Sequence, residues 1–523
     1  GHLFNTAQFG LAYIRVVCRD DWKARGCIGT GTPGSDLLFS EYVAHEIAHQ
    51  FGANHTFNSV DGLCKVGRNG ATAYEPGSGS TLMGYAGWCN DDDLQFQINN
   101  YFHSHSYDEI MHFVTRGAAA SCATITDTGN NPPTVHTTAQ FIIPRSTPFK
   151  LTANGHDPDG DPITYCWEQR DLGPEQTVYD SDNGHSPLFR SFEPTPNPTR
   201  TFPRMQNILQ NTRLRGEQLP AWERVMNFRV TVRDNRGGIG TADTQVTVAG
   251  AGPFIITSHN TPGTYFGTQT ITWNVGGTDV APIKTTHVNI VLSTNGGADF
   301  NVVLASQVPN NGSARVVLPN ADIGSARLKI EAVDNIFFTV NASNLGIRRY
   351  LPIADFNSDH KVDLVWQNSS GQLAAWLLDG TNFLRSALLR NGIAVPGEWR
   401  LAGLSDFNDD THVDLLWQHD DGRVAVWFMN QTNFVGSEML RDGMRGGAGW
   451  RIMSARDLDG DLEPDILWQH DDGRLAVWKM KGTTFISSTL LRDGIKLPIG
   501  WRVAGIADFD ADGKNDILLR HAD

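Results

Sequence analysis

Four aspartates, Asp355, Asp406, Asp457 and Asp508, follow one another at intervals of 51 residues, and three sets of tryptophans keep the same step. Trp366, Trp417 and Trp468 form one set, Trp376, Trp427 and Trp478 a second, and Trp399, Trp450 and Trp501 a third. A period this regular constrains the fold strongly. Each unit must be one supersecondary motif that buries its apolar face against copies of itself. Within a unit, Leu415-Leu-Trp-Gln-His-Asp-Asp-Gly-Arg-Val-Ala-Val-Trp427 sets two apolar runs about an Asp-Gly turn, which reads as a β-hairpin. The whole unit reads as strand, acidic loop, strand, Gly-containing turn, strand and a less regular fourth strand, the pattern of a β-propeller blade. Residues 350–523 hold three such units and part of a fourth. The regular spacing of the tryptophans predicts blade cores rather than sugar-stacking surfaces.

The remaining 349 residues are too many for one core. Asp outnumbers Glu 44 to 13, and Gly (53) and Pro (24) are abundant, so a loop-rich, largely β protein is expected. Residues 1–125 carry seven of the seventeen histidines, five of the six cysteines and the clearest helical stretches. A polar stretch at 126–134 reads as a linker. Residues 131–250 and 251–349 show alternating runs such as Phe228-Arg-Val-Thr-Val-Arg233 and His287-Val-Asn-Ile-Val-Leu292, which predict two β-sandwich domains. A net charge of −15 argues against nucleic acid as a partner, and no apolar run is long enough for a membrane span. Six cysteines without a CxxC pair suggest disulfides in an exported protein, with buried free thiols as the alternative. The chain opens on Gly1 without Met and breaks off within a repeat, so both ends read as cuts in a longer protein.

The chemistry concentrates in His45-Glu46-Ile-Ala-His49-Gln-Phe-Gly52-Ala-Asn-His55. Residues four apart share a helix face, so His45 and His49 can aim two imidazoles at one metal. Gly52 permits the positive-φ turn that ends the helix and brings His55 round as the third ligand, leaving a fourth position for water. Glu46 beside the first ligand can act as general base. Ser40 reads as the helix cap, with Glu41 in the first turn and Val43, Ile47 and Phe51 as an apolar stripe. Chance assembly of the five fixed letters is on the order of one in ten thousand or less, so coincidence is set aside. His103, His105 and His112 lie in ordinary context and read as surface or helix-face residues.

Twenty-eight residues beyond His55, Gly77-Ser-Gly-Ser-Thr-Leu-Met83-Gly-Tyr85 forms a small-residue turn with one Met. The extended histidine motif followed by a Met-containing turn resembles the metzincins, and the wider context of residues 1–125 resembles bacterial reprolysin-like metalloproteases. Glu75-Pro-Gly-Ser-Gly-Ser and Tyr101-Phe-His-Ser fit the same resemblance. It implies an α+β catalytic domain, zinc on His45, His49 and His55, Met83 as a hydrophobic floor, and Tyr85 turned toward metal or oxyanion. It also implies the disulfide pairs Cys64–Cys89 and Cys18–Cys122. Ser106-Tyr-Asp-Glu109 reads as a capping box opening the helix that would close the domain near Arg116. Thr56 departs from the Asp, Glu, Pro or Ser that the best-known branches carry after the third histidine. The segment from Gly10 to Cys18 resembles the edge strand that pairs with substrate, and the strands before it are expected to be absent.

The repeat's acidic loops present Asp355, Asn357, Asp359 and Asp363; Asp406, Asn408, Asp410 and Asp414; Asp457, Asp459, Asp461 and Asp465; and Asp508, Asp510, Asp512 and Asp516. Oxygens at positions one, three, five and nine suit a hard cation such as Ca²⁺. The sixth position is Gly513 in the last loop and His360, Thr411 and Leu462 in the others. These loops resemble those of FG-GAP or VCBS propellers, as in integrin-type heads. His156-Asp157-Pro-Asp159-Gly-Asp161 is a shorter cluster in a segment resembling cadherin- or PKD-like modules, where calcium and a plain turn are both open readings.

Together these features predict a secreted zinc metalloendopeptidase with protein or peptide substrates, two Ig-like sandwiches and a calcium-binding partial propeller. The repeats are expected to meet an extracellular protein or carbohydrate ligand. The competing reading is a non-catalytic surface adhesin or matrix-binding protein with a vestigial protease domain. Intact Glu46 argues against it, since a degenerate enzyme is free to lose that acid. With only 44 residues before His45, the 523-residue chain alone is expected to cleave casein weakly or not at all. Robust cleavage abolished by His45→Ala would contradict that expectation.

Overall fold

A computed structural model describes residues 3–5, 9–22, 25–29, 36–319, 321–348, 354–359, 361–461, 463–509 and 515–522. They divide into two compact units. One comprises residues 1–264, 270–316 and 323–347; the other comprises 348–523 with 265–269 and 317–322. The described residues are mostly β, in many separate sheets, and form no closed barrel among them.

In the first unit a small mixed sheet joins β1 (Leu3–Asn5), β3 (Gly26–Gly29) and β2 (Phe9–Ala12) in that spatial order. β1 runs parallel to β3 and β2 antiparallel, so β2 lies at the sheet's edge. The strand expected from Gly10 to Cys18 therefore stops at Ala12, and one strand does precede it. The reason lies in the neighbouring helix α1 (Asp36–Gln50). Arg15 and Val16 turn away to donate their amides to the carbonyls of His49 and Gln50, which the helix end leaves without intrahelical partners. α1 begins before Ser40, so Ser40 and Glu41 fall in its second turn and do not mark its start. Its end is as expected: Gly52, at φ +105°, carries the chain out of the helix, and Ala53 N–H returns to Ala48 O at 3.0 Å. Val43, Ile47 and Phe51 are only half-buried, and the deepest face carries His45, Glu46, Ala48 and His49.

A four-residue turn of helix, α2 (Cys64–Gly67), is stapled to the Met-containing loop by the disulfide Cys64–Cys89. The longer α3 (Ser104–Arg116) ends where expected but starts two residues before Ser106. His103 caps it by accepting the His105 amide, and Glu168 accepts the Ser104 amide at 2.8 Å. Ser106 and Glu109 thus form no capping box; Glu109 instead accepts both the backbone and side-chain N–H of Asn54. His103, expected at the surface or on a helix face, is buried as the residue that caps this helix. Cys18–Cys122 is the second disulfide, and Cys27 and Cys166 are unpaired.

Behind this segment a four-stranded sheet runs in the order Gln140–Pro144, Ile239–Ala249, Arg224–Arg233, Thr164–Gln169. The strand pair Phe149–Thr152 and Thr199–Phe202 packs on it through Phe149 and Phe202, which are stacked at 4.9 Å and meet Phe228 at 5.8 and 5.0 Å. Further along, His287–Ser293 lies between Val302–Pro309 and Ile323–Ala332. Its Ile290 and Leu292 are buried with Leu328 and Ile330.

The second unit realises the 51-residue period. Antiparallel four-stranded sheets run Trp399–Ser405, Asp414–His419, Val424–Asn430, Asn433–Met439, and again Trp450–Arg456, Asp465–His470, Leu475–Lys481, Thr484–Leu490. Three strands between Leu364 and Leu388 precede them and two between Trp501 and His521 follow. Trp417 and Trp468 are buried in blade cores, whereas Trp366, Trp376 and Trp501 are exposed. The glutamine after the core tryptophan links consecutive units. Gln418 donates to Trp450 O at 2.8 Å and accepts from Ile452 N at 3.0 Å, and Gln469 does the same with Trp501 O and Val503 N. A primary amide here pairs like one more peptide group. Replacing it with Leu strands a buried N–H and a carbonyl, a cost of about 1–3 kcal/mol. Gln418→Leu is expected to lower the urea midpoint of this unit accordingly, and an unchanged midpoint would show that the bridge contributes nothing.

Candidate metal centre

α1 delivers His45 and His49 from one face, and the turn at Gly52 returns the chain so that His55 faces them. Each ring is oriented by its Nδ1 donating to a backbone carbonyl: His45 to Leu82 at 2.6 Å, His49 to Ala53 at 2.7 Å, His55 to Gly67 at 2.5 Å. These bonds fix the tautomers, so each Nε2 presents a lone pair. The three lone pairs converge. His55 Nε2 lies 3.3 Å from His45 Nε2 and 3.1 Å from His49 Nε2.

Burial lowers the basicity of all three rings, His55 to about 4, with neighbouring histidines adding to the effect on His45 and His55. They are therefore uncharged near neutrality. Three acceptor nitrogens at hydrogen-bond distance with no proton between them repel one another, and a cation in their midst removes that repulsion. Tetrahedral coordination at about 2.0–2.1 Å places neighbouring nitrogens about 3.3 Å apart, so the donor set fits zinc.

Glu46 is buried beside these rings, and its Oε2 has no hydrogen-bond partner. Desolvation raises its carboxyl to about 7. A Cβ at Gly10 on β2 would overlap this carboxylate, so the glycine leaves Glu46 its place against the edge strand. Met83 is fully buried in a cluster with Ala48 and Ala53, against Phe102 and Ile110. The Tyr85 ring packs 4.6 Å from His55 and 5.8 Å from His45. Desolvation, then the Glu46 charge, push its hydroxyl to about 12, so it stays protonated. The carbonyls of Ala53, Gly67 and Leu82 were invisible to residue-by-residue reading, because a backbone acceptor carries no sequence signature.

The acidic loops are arranged differently from the expectation. Asp457, Asp459 and Asp465 bring ligand atoms within 4.8 Å of one another, as do Asp157, Asp159 and Asp161; Asp461 stands outside the first group. Asp355, Asp359 and Asp363, and Asp406, Asp410 and Asp414, form no such group. Their loops close on themselves instead: Asn357 donates to Asp359 at 2.9 Å and Asn408 to Asp410 at 3.0 Å. Asp508 and Asp516 are described, whereas Asp510, Asp512, Gly513, His360 and Leu462 lie outside the described residues. The ninth-position acid has a role the spacing did not reveal. Asp414 accepts the amides of Phe407 and Met429, Asp465 those of Leu458 and Met480, and Asp363 those of Phe356 and Leu378. One carboxylate thus ties the loop's start to the third strand of its blade.

The fold and site together define a multidomain, mostly β chain with a convergent three-histidine centre. Residues 2–99 match metallo-peptidase family M12B, reprolysin-like, and residues 457–519 match the FG-GAP-like repeat. No curated protein matches the chain. Among solved structures, the FN1–FN3 domains of chicken CNTN1 align at 10% identity and a TM-score of 0.15, covering 69% of this chain and 98% of that one. The glucan-utilisation protein SGBP-B of Bacteroides ovatus, in complex with a mixed-linkage heptasaccharide, aligns at 10% identity and 0.14, covering 59% and 70%. Superpositions this loose establish no common fold.

Desolvation raises Asp414 to about 7 and Asp465 to about 6. A carboxyl raised on folding stabilises below its unfolded pKa, near 3.9, and loses that contribution as pH climbs through the folded value. In chelator, the repeat unit should therefore melt at progressively lower temperature between about pH 4 and pH 7. A melting temperature that is flat or rising across that window would contradict the burial of these acids.

Proposed function

We propose that this chain is a secreted zinc-dependent metalloendopeptidase whose metal is held by His45, His49 and His55. The observation that carries this reading is the convergence of three Nε2 lone pairs at 3.1–3.3 Å, each ring locked by a carbonyl. When bound, zinc supplies Lewis acidity that polarises a peptide carbonyl and acidifies water. Glu46, buried and with an unpartnered oxygen, takes the proton from the attacking water and hands it to the leaving amine. Tyr85, protonated near the histidines, is suited to donate a hydrogen bond to the oxyanion. β2, at the edge of its sheet among the described residues, is suited to support the extended substrate by strand addition. The match of residues 2–99 to a peptidase family agrees with a protein substrate.

The two disulfides suit an oxidising, extracellular setting, and no helix among the described residues is long and apolar enough to cross a membrane. Calcium is assigned a structural role in the repeats, with Asp457, Asp459 and Asp465 the best-supported ligands. Asp461 and the acids of the Asp355 and Asp406 loops join as ligands when those loops rearrange around the ion. The two β-sandwich segments are read as Ig-like modules, and the repeats as the surface for an extracellular protein or carbohydrate.

Metal analysis should find one zinc per chain in the wild type and in Glu46→Ala, and none in His45→Ala. Hydrolysis by the zinc-loaded protein should fall about 10²–10⁴-fold in Glu46→Ala. Measurable turnover that is equal with and without Glu46 would sink the peptidase reading.

A further inference from the structure

Glu75 is a buried carboxylate, 1% exposed, whose hydrogen bonds come from neutral donors on two separate segments. Its Oε2 accepts the Thr56 and Thr81 hydroxyls, each at 2.6 Å. Its Oε1 accepts the Ser80 amide at 2.8 Å and the Thr81 amide at 3.3 Å, with the Ser80 hydroxyl at 3.2 Å. Burying a charge among neutral groups is costly, so so full a set of donors marks a site where two acceptor oxygens are needed together. The positions held are specific. Thr56 follows His55 directly. Thr81 precedes Leu82, whose carbonyl orients the His45 ring, and Met83, which is buried with Ala48 and Ala53. The same two segments also meet through their backbones, Thr56 N–H to Met83 O at 3.2 Å and Glu75 N–H to Thr56 O at 2.8 Å.

We propose that Glu75 is a positioning residue for the metal centre, acting through Thr56 and Thr81 to clamp the third-histidine arm to the segment that orients the first histidine; this rests on the zinc reading above. It also gives Thr56 a reason. At this position the chain needs a side chain that donates one hydrogen bond from a buried site, and a β-branched hydroxyl does so with a stiff χ1. The clamp sets the separation of His45 and His55, and so the fit of the three nitrogens about one ion. Outer partners of metal ligands typically change affinity by about 10–100-fold when lost.

The test uses the full chain, with zinc affinity from chelator competition and the visible spectrum of the Co²⁺-substituted protein. Thr56→Val, nearly isosteric, should weaken zinc binding about 10–100-fold and shift the Co²⁺ bands, while the metal-free protein still melts cooperatively. Thr56→Ser, which keeps the hydroxyl, should restore both readouts. Glu75→Ala should lose at least as much as Thr56→Val, and should it fail to fold, the threonine pair decides alone. A folded Thr56→Val with wild-type affinity and spectrum overturns the clamp, as does a loss that Thr56→Ser leaves unrepaired. A wild type without a His45-dependent zinc site overturns the zinc reading and the clamp with it. Wild-type binding that Thr56→Val leaves intact overturns the clamp alone.

Discussion

Three uncharged imidazoles held with their lone pairs face to face are an unfavourable arrangement in the absence of a cation, and the fold around residues 45–85 is organised to maintain it. The helix supplies two of the rings, and a positive-φ glycine supplies the reversal that brings the third. Each Nδ1 is tied to a carbonyl from a different segment: the helix exit, the turn of α2, and the Met-containing loop. Because the carbonyls are backbone atoms, the rings cannot rotate away without breaking buried hydrogen bonds. The disulfide Cys64–Cys89 ties two of those segments together covalently.

The four-stranded sheet that follows the histidine centre in the chain contributes to the same end. Glu168 takes the first amide of α3, whose Glu109 holds Asn54 beside His55. Ser191 accepts the Tyr101 hydroxyl and offers its own carbonyl to Ser80, on the Met-containing loop. The repeats follow a different rule. Their stability is passed from blade to blade by one recurring glutamine, and within a blade by one recurring buried aspartate.

Much of the histidine centre was legible because its ligands are side chains of distinctive type at helical spacing. His45, Glu46, His49, Gly52 and His55 required no knowledge of the rest of the chain. Errors arose where a side chain's role depends on what lies across from it. Ser40 and Ser106 look like caps, but each lies within a helix that starts earlier, and the capping of α3 came from His103 and a glutamate 64 residues away. The strand expected through Cys18 ended at Ala12 because the helix end competes for the same amides. Likewise the ninth-position aspartates Asp363, Asp414 and Asp465 read in sequence as cation ligands alone, yet in space each also accepts two backbone amides.

Local periodicity was therefore enough to define the blade repeat, the hairpins and the histidine-bearing helix face, since these depend on spacings that the chain carries along its own length. Tertiary structure alone decided which carbonyls orient the histidines, that Glu75 joins Thr56 to Thr81, and that Asp457, Asp459 and Asp465 gather where the acids of the two preceding repeat loops do not. Those outcomes depend on donors and acceptors brought together from distant segments, and most are peptide groups that every residue possesses alike.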